Sequence, residues 1–244
     1  MIKKHTFTLA ILPIFAGCAS GDWAVNTWGE EYIEEGIPAE EFEDGCSASF
    51  NRFSVAFSEA SLRNPDESVV GEVPAGRFEL TEPGPQDLGV VSVAPGTYDR
   101  VYYTVGSETE DSVQTAGTVT CGENTVAFEW NFNPSVRYRC LADAPLEVVV
   151  PEGGQVSTQI TIHGDHLFYD SLAGEGEVLR GQAIVDADAD ADGVVTLTEL
   201  ESVSVEALGY PVGTHTEIAN LADFIAQLVS GVGHVDGEGH CYVD

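Results

Sequence analysis

Residues 188–199 carry oxygen-bearing side chains at regular intervals along a twelve-residue stretch, D-A-D-A-D-G-V-V-T-L-T-E. Aspartates occupy the first, third and fifth positions, a glycine that permits a sharp turn occupies the sixth, and a glutamate closes the stretch. A hard cation such as Ca²⁺ takes about six to eight oxygen ligands at roughly 2.3–2.6 Å, and this spacing can supply them. The residues predicted to bind calcium are Asp188, Asp190, Asp192, Val194 through its backbone carbonyl, Thr196 and Glu199.

The same stretch resembles the calcium loop of EF-hand proteins, with Gly193 at position 6 and Glu199 at position 12. Thr196 and Glu199 also form a capping-box pattern, which predicts that a helix begins here. The resemblance implies that Val195, at position 8, would pair with a second loop, and no second loop is readable in the sequence. A lone extracellular loop of this kind belongs to the weak range of about 10⁻⁴–10⁻³ M, which favours a structural role for the ion.

Four histidines fall in two short clusters, T-I-H-G-D-H at 161–166 and G-H-V-D-G-E-G-H at 233–240. If the fold brings the two clusters together, their imidazoles can bind Zn²⁺ or Cu²⁺, with nearby carboxylates as further partners. The alternative is that they are ordinary buried or hydrogen-bonded polar residues. The candidates are His163, His166, His234 and His240, accompanied by Asp165, Asp236 and Glu238.

Sequence motifs of the common catalytic classes are missing: there is no G-x-S-x-G, P-loop, H-E-x-x-H or G-x-G-x-x-G pattern. Asp165, between two histidines, could serve a metal-dependent hydrolase in which a metal-bound water is the nucleophile. The sequence favours a binding protein over an enzyme.

The N-terminus has the pattern of an export signal. Lys3 and Lys4 precede an apolar stretch at 7–15, which is too short to span a bilayer. The following F-A-G-C resembles a bacterial lipobox, which implies cleavage after residue 17 and a membrane lipid anchor on Cys18. Because Ala19 rather than aspartate follows, the resemblance implies the outer membrane, with the protein facing the periplasm or the cell surface. An ordinary secretory signal is the alternative.

The charge balance is strongly acidic, with nine lysines and arginines against 41 aspartates and glutamates in 244 residues, a net charge of −32. Without residues 1–17 the chain would have seven arginines, no lysine and a charge of −34. A chain this acidic repels phosphate backbones, so the sequence predicts no nucleic-acid partner and favours cations. An apolar fraction of 43% still allows a packed core. The sequence indicates no particular protein partner.

Four cysteines besides Cys18 predict two disulfides in an oxidising compartment, with three connectivities open. Cys121 and Cys140 lie close in sequence across an expected hairpin. The favoured pairing is therefore Cys121–Cys140 with Cys46–Cys241. Free buried thiols are the alternative.

Hydrophobic periodicity predicts a mainly β protein with an α C-terminal region. Short alternating segments joined by turn residues indicate an antiparallel β-sandwich, followed by helical patterns near 177–187, 197–208 and 216–230. Two further capping boxes are predicted, at Thr27 with Glu30 and at Thr214 with Glu217. The predicted divisions are 1–17 as signal peptide, 18–45 as a solvated acidic anchor segment, 46–163 as the β-sandwich and 164–244 as the helical EF-hand-like region.

The whole layout resembles a family of uncharacterised bacterial lipoproteins, on the stretches 26–39, 161–170, 188–199 and 233–241. This resemblance implies no particular activity. The β portion, including A-P-G-T-Y-D-R-V-Y-Y-T-V-G at 94–106, is similar to MbnP-like periplasmic proteins, which implies a β-rich fold and an association with copper.

Together these patterns predict a membrane-anchored, non-catalytic calcium-binding lipoprotein whose calcium is structural. The alternatives are a periplasmic copper- or zinc-binding protein that uses the two histidine clusters, or a metal-dependent hydrolase.

Overall fold

The computed structural model describes residues 20–74, 76–141, 147–174, 176–237 and 241–243. Cys18, Glu238 and His240, and with them the predicted signal peptide, lie outside these ranges. The strands are β1 Gly21–Trp28, β2 Cys46–Arg63, β3 Val69–Val73, β4 Gly76–Glu79, β5 Gln86–Val93, β6 Gly96–Tyr98, β7 Arg100–Val105, β8 Val113–Cys121, β9 Asn124–Phe132, β10 Val136–Leu141, β11 Val148–Val150, β12 Gln155–Ile162, β13 Val194–Val195, β14 Gly233–Val235 and β15 Cys241–Val243. The helices are α1 Glu30–Glu34, α2 Gln182–Val185, α3 Leu197–Leu200, α4 Val205–Leu208 and α5 Leu221–Val229, with a 3₁₀-helix at Asp165–Phe168.

The larger sheet has the order β13-β9-β8-β2-β7-β10-β15, with β3 and β4 also paired to the long strand β2. Its strands show the alternation expected of a sheet with one face in the core. In β8, for example, every second residue from Val113 to Cys121 is buried. The prediction of a mainly β, sandwich-like fold with helices towards the C-terminus is confirmed.

The smaller sheet has the order β14-β12-β1-β5 and places the site described below. Strand β1 lies inside this sheet, parallel to β12 and antiparallel to β5. Trp23 of β1 is fully buried, and its indole N–H donates to the hydroxyl of Thr158 at 2.9 Å. The structure therefore differs from the prediction of a solvated segment at 18–45, because β1 supplies core side chains. It also differs from an all-antiparallel sandwich, since β1–β12 and β13–β9 are parallel pairs.

The C-terminal helices are shorter than the sequence patterns predicted. The capping box of Thr196 and Glu199 is present with both of its hydrogen bonds. The box predicted at Thr214 is wrong, because α5 begins at Leu221 with Asn220 as its cap. The box at Thr27 is also wrong, since Thr27 belongs to β1 and Gly29 precedes α1.

Buried apolar side chains from both sheets and from the C-terminal helices form one connected core. The strand-rich and helix-rich parts of the chain therefore stabilise each other. Among the described residues, no helix is both long and apolar enough to cross a membrane.

Two disulfides join Cys46 to Cys121 and Cys140 to Cys241. The predicted pairing of Cys121 with Cys140 is wrong, because β8 and β10 are not neighbours in the sheet. Strand β10 pairs with β7 instead of forming a hairpin with the cysteine-bearing end of β8. Each disulfide joins residues that face each other directly in an antiparallel register, on β2 and β8 and on β10 and β15.

We expect peptide mapping under non-reducing conditions to recover the Cys46–Cys121 and Cys140–Cys241 peptides. Replacing Cys140 and Cys241 with serine should lower the free energy of unfolding by about 2–4 kcal/mol, because the bridge closes a long loop. Denaturant unfolding of the variant and the parent protein measures this. Recovery of a Cys121–Cys140 peptide from the native protein would contradict the assignment.

Candidate metal centre

Three of the four candidate histidines converge in the structure. His163 follows the end of β12, His166 lies in the 3₁₀-helix after it, and His234 lies on β14. The ring centroids are 4.4 Å apart for His163 and His234, and 5.3 Å apart for each of the other two pairs. We call His163, His166 and His234 the histidine cluster.

Strand pairing explains the convergence. Strand β14 runs antiparallel to β12 with His234 opposite Thr161, and the backbone N–H of His163 donates to the carbonyl of Val232 at 2.9 Å. His163 and His234, about 70 positions apart in the sequence, are thereby brought side by side, one directly after β12 and the other on the neighbouring strand β14. Asp236, also a candidate, is not in the cluster, since its carboxylate accepts from the backbone N–H of Gln159.

Two stacked tyrosines hold the β14 side of the cluster in position. The rings of Tyr103 and Tyr138 lie 4.7 Å apart and nearly parallel. The Tyr103 hydroxyl donates to the carbonyl of His234, and the Tyr138 hydroxyl donates to that of Ser230. Gly233 allows this approach, because a Cβ there would lie 2.4 Å from the Tyr103 hydroxyl oxygen. Burial raises the pKa of both tyrosines, so they remain neutral hydrogen-bond donors.

His163 is the most enclosed member of the cluster, with 6% of its surface exposed. Its Nε2 is buried and has no hydrogen-bond partner among the residues that the structure describes. Its Nδ1 faces two carboxylates, at 3.4 Å from Oε2 of Glu30 and 3.9 Å from Oδ1 of Asp165. Nδ1 of His163 therefore lies beside two carboxylates, while Nε2 has no hydrogen-bond partner in the described structure.

Asp165 brings a carboxylate to the cluster. The Tyr169 hydroxyl donates to its Oδ2 at 3.0 Å, while its Oδ1 is buried without a hydrogen-bond partner in the described part of the chain. His163, Asp165 and His166 each have one potential ligand atom, and these three atoms lie within 4.8 Å of one another. These three residues form a candidate cation site, and His234 lies beside it, with its ring centroid 4.4 Å from that of His163.

His166 is neutral at physiological pH. Burial lowers its pKa to about 4, with a further lowering by the neighbouring His163 and a partial offset from a hydrogen bond with the Gly231 backbone. Neutral imidazole has the free lone pair that a metal ion needs. Above about pH 4, His166 can therefore donate a ring-nitrogen lone pair to a metal ion.

The donor set selects among metals. The four described cysteines are all in disulfides, and Met1 is the chain's single methionine. A site of imidazoles with a carboxylate suits Zn²⁺ or Cu²⁺, whereas soft Cu⁺ prefers thiolate and thioether ligands.

Sequence reasoning missed Glu30 as a site residue, because it was interpreted as part of a capping box. Strands β1 and β12 are parallel, so their carboxyl ends lie at the same edge of the sheet. Glu30 follows β1 at that edge, as His163 follows β12. Only the pairing of the two strands could have revealed this, since no local signal links the two residues.

The predicted calcium residues also lie close together. Asp188, Asp190 and Asp192 have carboxylate oxygens within 4.8 Å of one another. Oδ2 of Asp188 accepts from the N–H of Gly193 at 3.0 Å, and Gly193 has a φ of 85°, as the sharp turn requires. Hydrogen bonds from the backbone and hydroxyl of Thr196 lower the pKa of Glu199, which keeps that carboxylate charged.

The loop at 188–199 docks on the larger sheet instead of on a second loop. Val194 and Val195 form β13, which pairs in parallel with Ala127 and Phe128 of β9. The indole N–H of Trp130 donates to the carbonyl of Val195 at 2.9 Å, and Val195 is fully buried. The larger sheet thus provides β13 with the hydrogen-bond partners that a second loop would supply in a paired EF-hand.

No family model matches this chain, and no curated protein matches it. Among solved structures, the chain is similar to MbnP from Methylosinus trichosporium, with 6% sequence identity and a TM-score of 0.35. The match covers 61% of this chain and 77% of that chain. This is a weak structural counterpart of the predicted MbnP-like similarity, and no functional argument is based on it.

The low pKa of His166 predicts acid sensitivity of the metal-free protein. Between pH 6.5 and 4 the unfolded chain binds a proton at this residue and the folded chain does not, so stability falls as the pH falls. The loss should be about 3 kcal/mol from this group, because its pKa is about 4 in the folded protein and 6.5 for an ordinary histidine. Denaturant unfolding of the parent and of His166→Gln over this pH range measures it. If the free energy of unfolding changed equally with pH in the two proteins, the prediction would be wrong.

Proposed function

We propose that this protein binds a transition-metal ion, Zn²⁺ or Cu²⁺, through His163, His166 and His234 with Asp165 as a fourth ligand. One observation carries the proposal: three imidazoles from two distant segments have ring centroids 4.4 to 5.3 Å apart, and the buried Nε2 of His163 has no hydrogen-bond partner in the described structure. The proposed role is binding rather than catalysis.

The energetics of burial support this assignment. A buried polar atom without a partner costs about 1–3 kcal/mol, so native proteins seldom leave one in place without a reason. Nε2 of His163 and Oδ1 of Asp165 are two such atoms in one small region. A bound cation would satisfy both, and the lowered pKa of His166 keeps a further lone pair available.

The two disulfides support a location outside the reducing cytoplasm. We propose that the protein is exported and anchored to the outer membrane through lipid on Cys18. Such a location would place the histidine cluster where metal ions are taken up or exchanged with the surroundings.

Titration of the metal-free protein with Zn²⁺ or Cu²⁺ should give one equivalent bound at the cluster. His163→Ala and His234→Ala should each weaken binding at least about a hundredfold, since loss of an outer partner alone costs about 10–100-fold. Isothermal calorimetry with mass spectrometry of the metal-loaded protein measures this.

His215→Ala is the matched control, because His215 is a partly exposed histidine whose Nδ1 lies 3.9 Å from Glu217 and which is not in the cluster. It should bind metal as the parent does. Equal affinities for the parent and both cluster variants, or less than about a tenth of an equivalent bound by the parent, would overturn the proposal.

We also propose that residues 188–199 bind a structural calcium ion. The docking of β13 on β9 favours this, because an ion bound by the loop would stabilise a segment already joined to the larger sheet. Neutralising the clustered carboxylates would remove their mutual repulsion, and α3 begins directly from the loop at Glu199.

Calcium at about a hundredfold excess over its Kd should add about 2.7 kcal/mol of stability, which raises the Tm by roughly 5–10 °C. Asp188→Ala and Glu199→Gln should abolish this rise. Asp186→Asn, just before the loop, is the control and should keep it. Identical melting curves of the parent protein with calcium and with chelator would show that the loop binds no structural ion.

A further inference from the structure

Glu30 stands out beside the histidine cluster because of its backbone. It has a φ of 54°, in the left-handed region that residues other than glycine seldom adopt. Its carboxylate is also the nearest one to Nδ1 of His163 among the described contacts, at 3.4 Å against 3.9 Å for Asp165. Unfavourable backbone conformations persist where the surrounding structure enforces them, often at functional sites.

The residues around Glu30 are tightly packed. Ile33, three residues after Glu30, is fully buried. Gly164, next to His163, allows the close approach of Ile33, since a Cβ at Gly164 would lie 2.6 Å from its Cγ1. A Cβ at Gly29 would lie 2.7 Å from the carbonyl oxygen of Leu80, so the chain before α1 is also tightly placed.

We propose that Glu30 is a positioning residue that keeps the imidazole proton of His163 on Nδ1, so that Nε2 presents its lone pair to the metal ion. This inference rests on the proposed function and specifies how one ligand of that site is prepared.

The two neutral tautomers of His163 differ in free energy, because the two ring nitrogens have different surroundings. A proton on Nε2 would be a buried donor with no acceptor in the described structure, while Nδ1 would present a lone pair to two carboxylates. A proton on Nδ1 faces the carboxylate of Glu30, the nearer of the two, instead. Ligand histidines commonly direct their second ring N–H to a carboxylate, which fixes the tautomer and the ring orientation.

Glu30 is better placed than Asp165 for this role. One oxygen of Asp165 accepts from Tyr169, and the carboxylate belongs to the group of proposed ligand atoms. Glu30 comes from a different chain segment, after β1, and lies 3.4 Å from Nδ1, while the proposal assigns Nε2 to the metal ion. The two acids therefore have separate roles, Asp165 as a ligand and Glu30 as the partner of His163.

The test uses the full mature chain in three variants. Glu30→Gly removes the carboxylate and suits the left-handed backbone. Glu30→Gln retains an acceptor oxygen without the charge. Glu31→Gln is the matched control, since Glu31 is the next residue on α1 and is exposed.

The first measurement is long-range ¹H–¹⁵N NMR of the imidazoles in metal-free protein. We expect His163 as the Nδ1–H tautomer in the parent, in Glu31→Gln and in Glu30→Gln, and a mixture of tautomers in Glu30→Gly. An unchanged tautomer in Glu30→Gly, or an Nε2–H tautomer in the parent, would overturn the inference. This measurement involves no metal, so its outcome is independent of whether the proposed function holds.

The second measurement is Zn²⁺ affinity together with Tm of the metal-free variants. Glu30→Gly should bind Zn²⁺ about 10–100-fold more weakly. Its Tm should be equal to or higher than that of the parent, because glycine relieves the backbone conformation. A purely structural Glu30 would lower Tm without changing the tautomer, which would overturn the inference. Absence of Zn²⁺ binding by the parent would instead count against the proposed function.

Discussion

The parallel pairing of β1 with β12, together with the antiparallel pairing of β12 with β14, determines where the candidate metal ligands lie. Parallel strands end at the same edge of a sheet, so the residues that follow β1 and β12 meet there. Strand β14 returns along β12 and brings a third segment to that edge. Glu30 and His234 consequently both lie beside His163, although about 200 residues separate them in the sequence.

The two candidate metal sites follow different physical rules. The histidine cluster includes the buried His163, and its energetic cost comes from desolvated polar atoms that have no hydrogen-bond partner in the described structure. The loop at 188–199 is largely exposed, and its cost is repulsion among carboxylates that solvent partly screens. A bound transition metal would provide the missing partners of the polar atoms in the histidine cluster. Bound calcium would reduce the repulsion among the carboxylates of the loop. A net charge of −32 favours cations at both sites.

Features that depend on residues close together in the sequence were predictable, and features that depend on distant residues were not. The capping box of Thr196 and Glu199 was correctly predicted, because helix initiation depends on groups three residues apart. The cap of α5 was misplaced from Asn220 to Thr214, because several polar residues in that stretch can cap a helix and only packing selects one. The disulfides were mispaired for a related reason: closeness in sequence suggested a hairpin, but the sheet order separates β8 from β10.

The sequence alone determined the alternation of the β-strands, the spacing of the acidic loop and the identity of the four candidate histidines. These are local properties, set by side-chain period and residue type. The tertiary structure decided which histidines meet, that Glu30 joins them, and that β9 rather than a second loop pairs with β13. Strand order and register produce those contacts. They arise from burying both sheets and the helices in one core, and no short stretch of sequence contains that information.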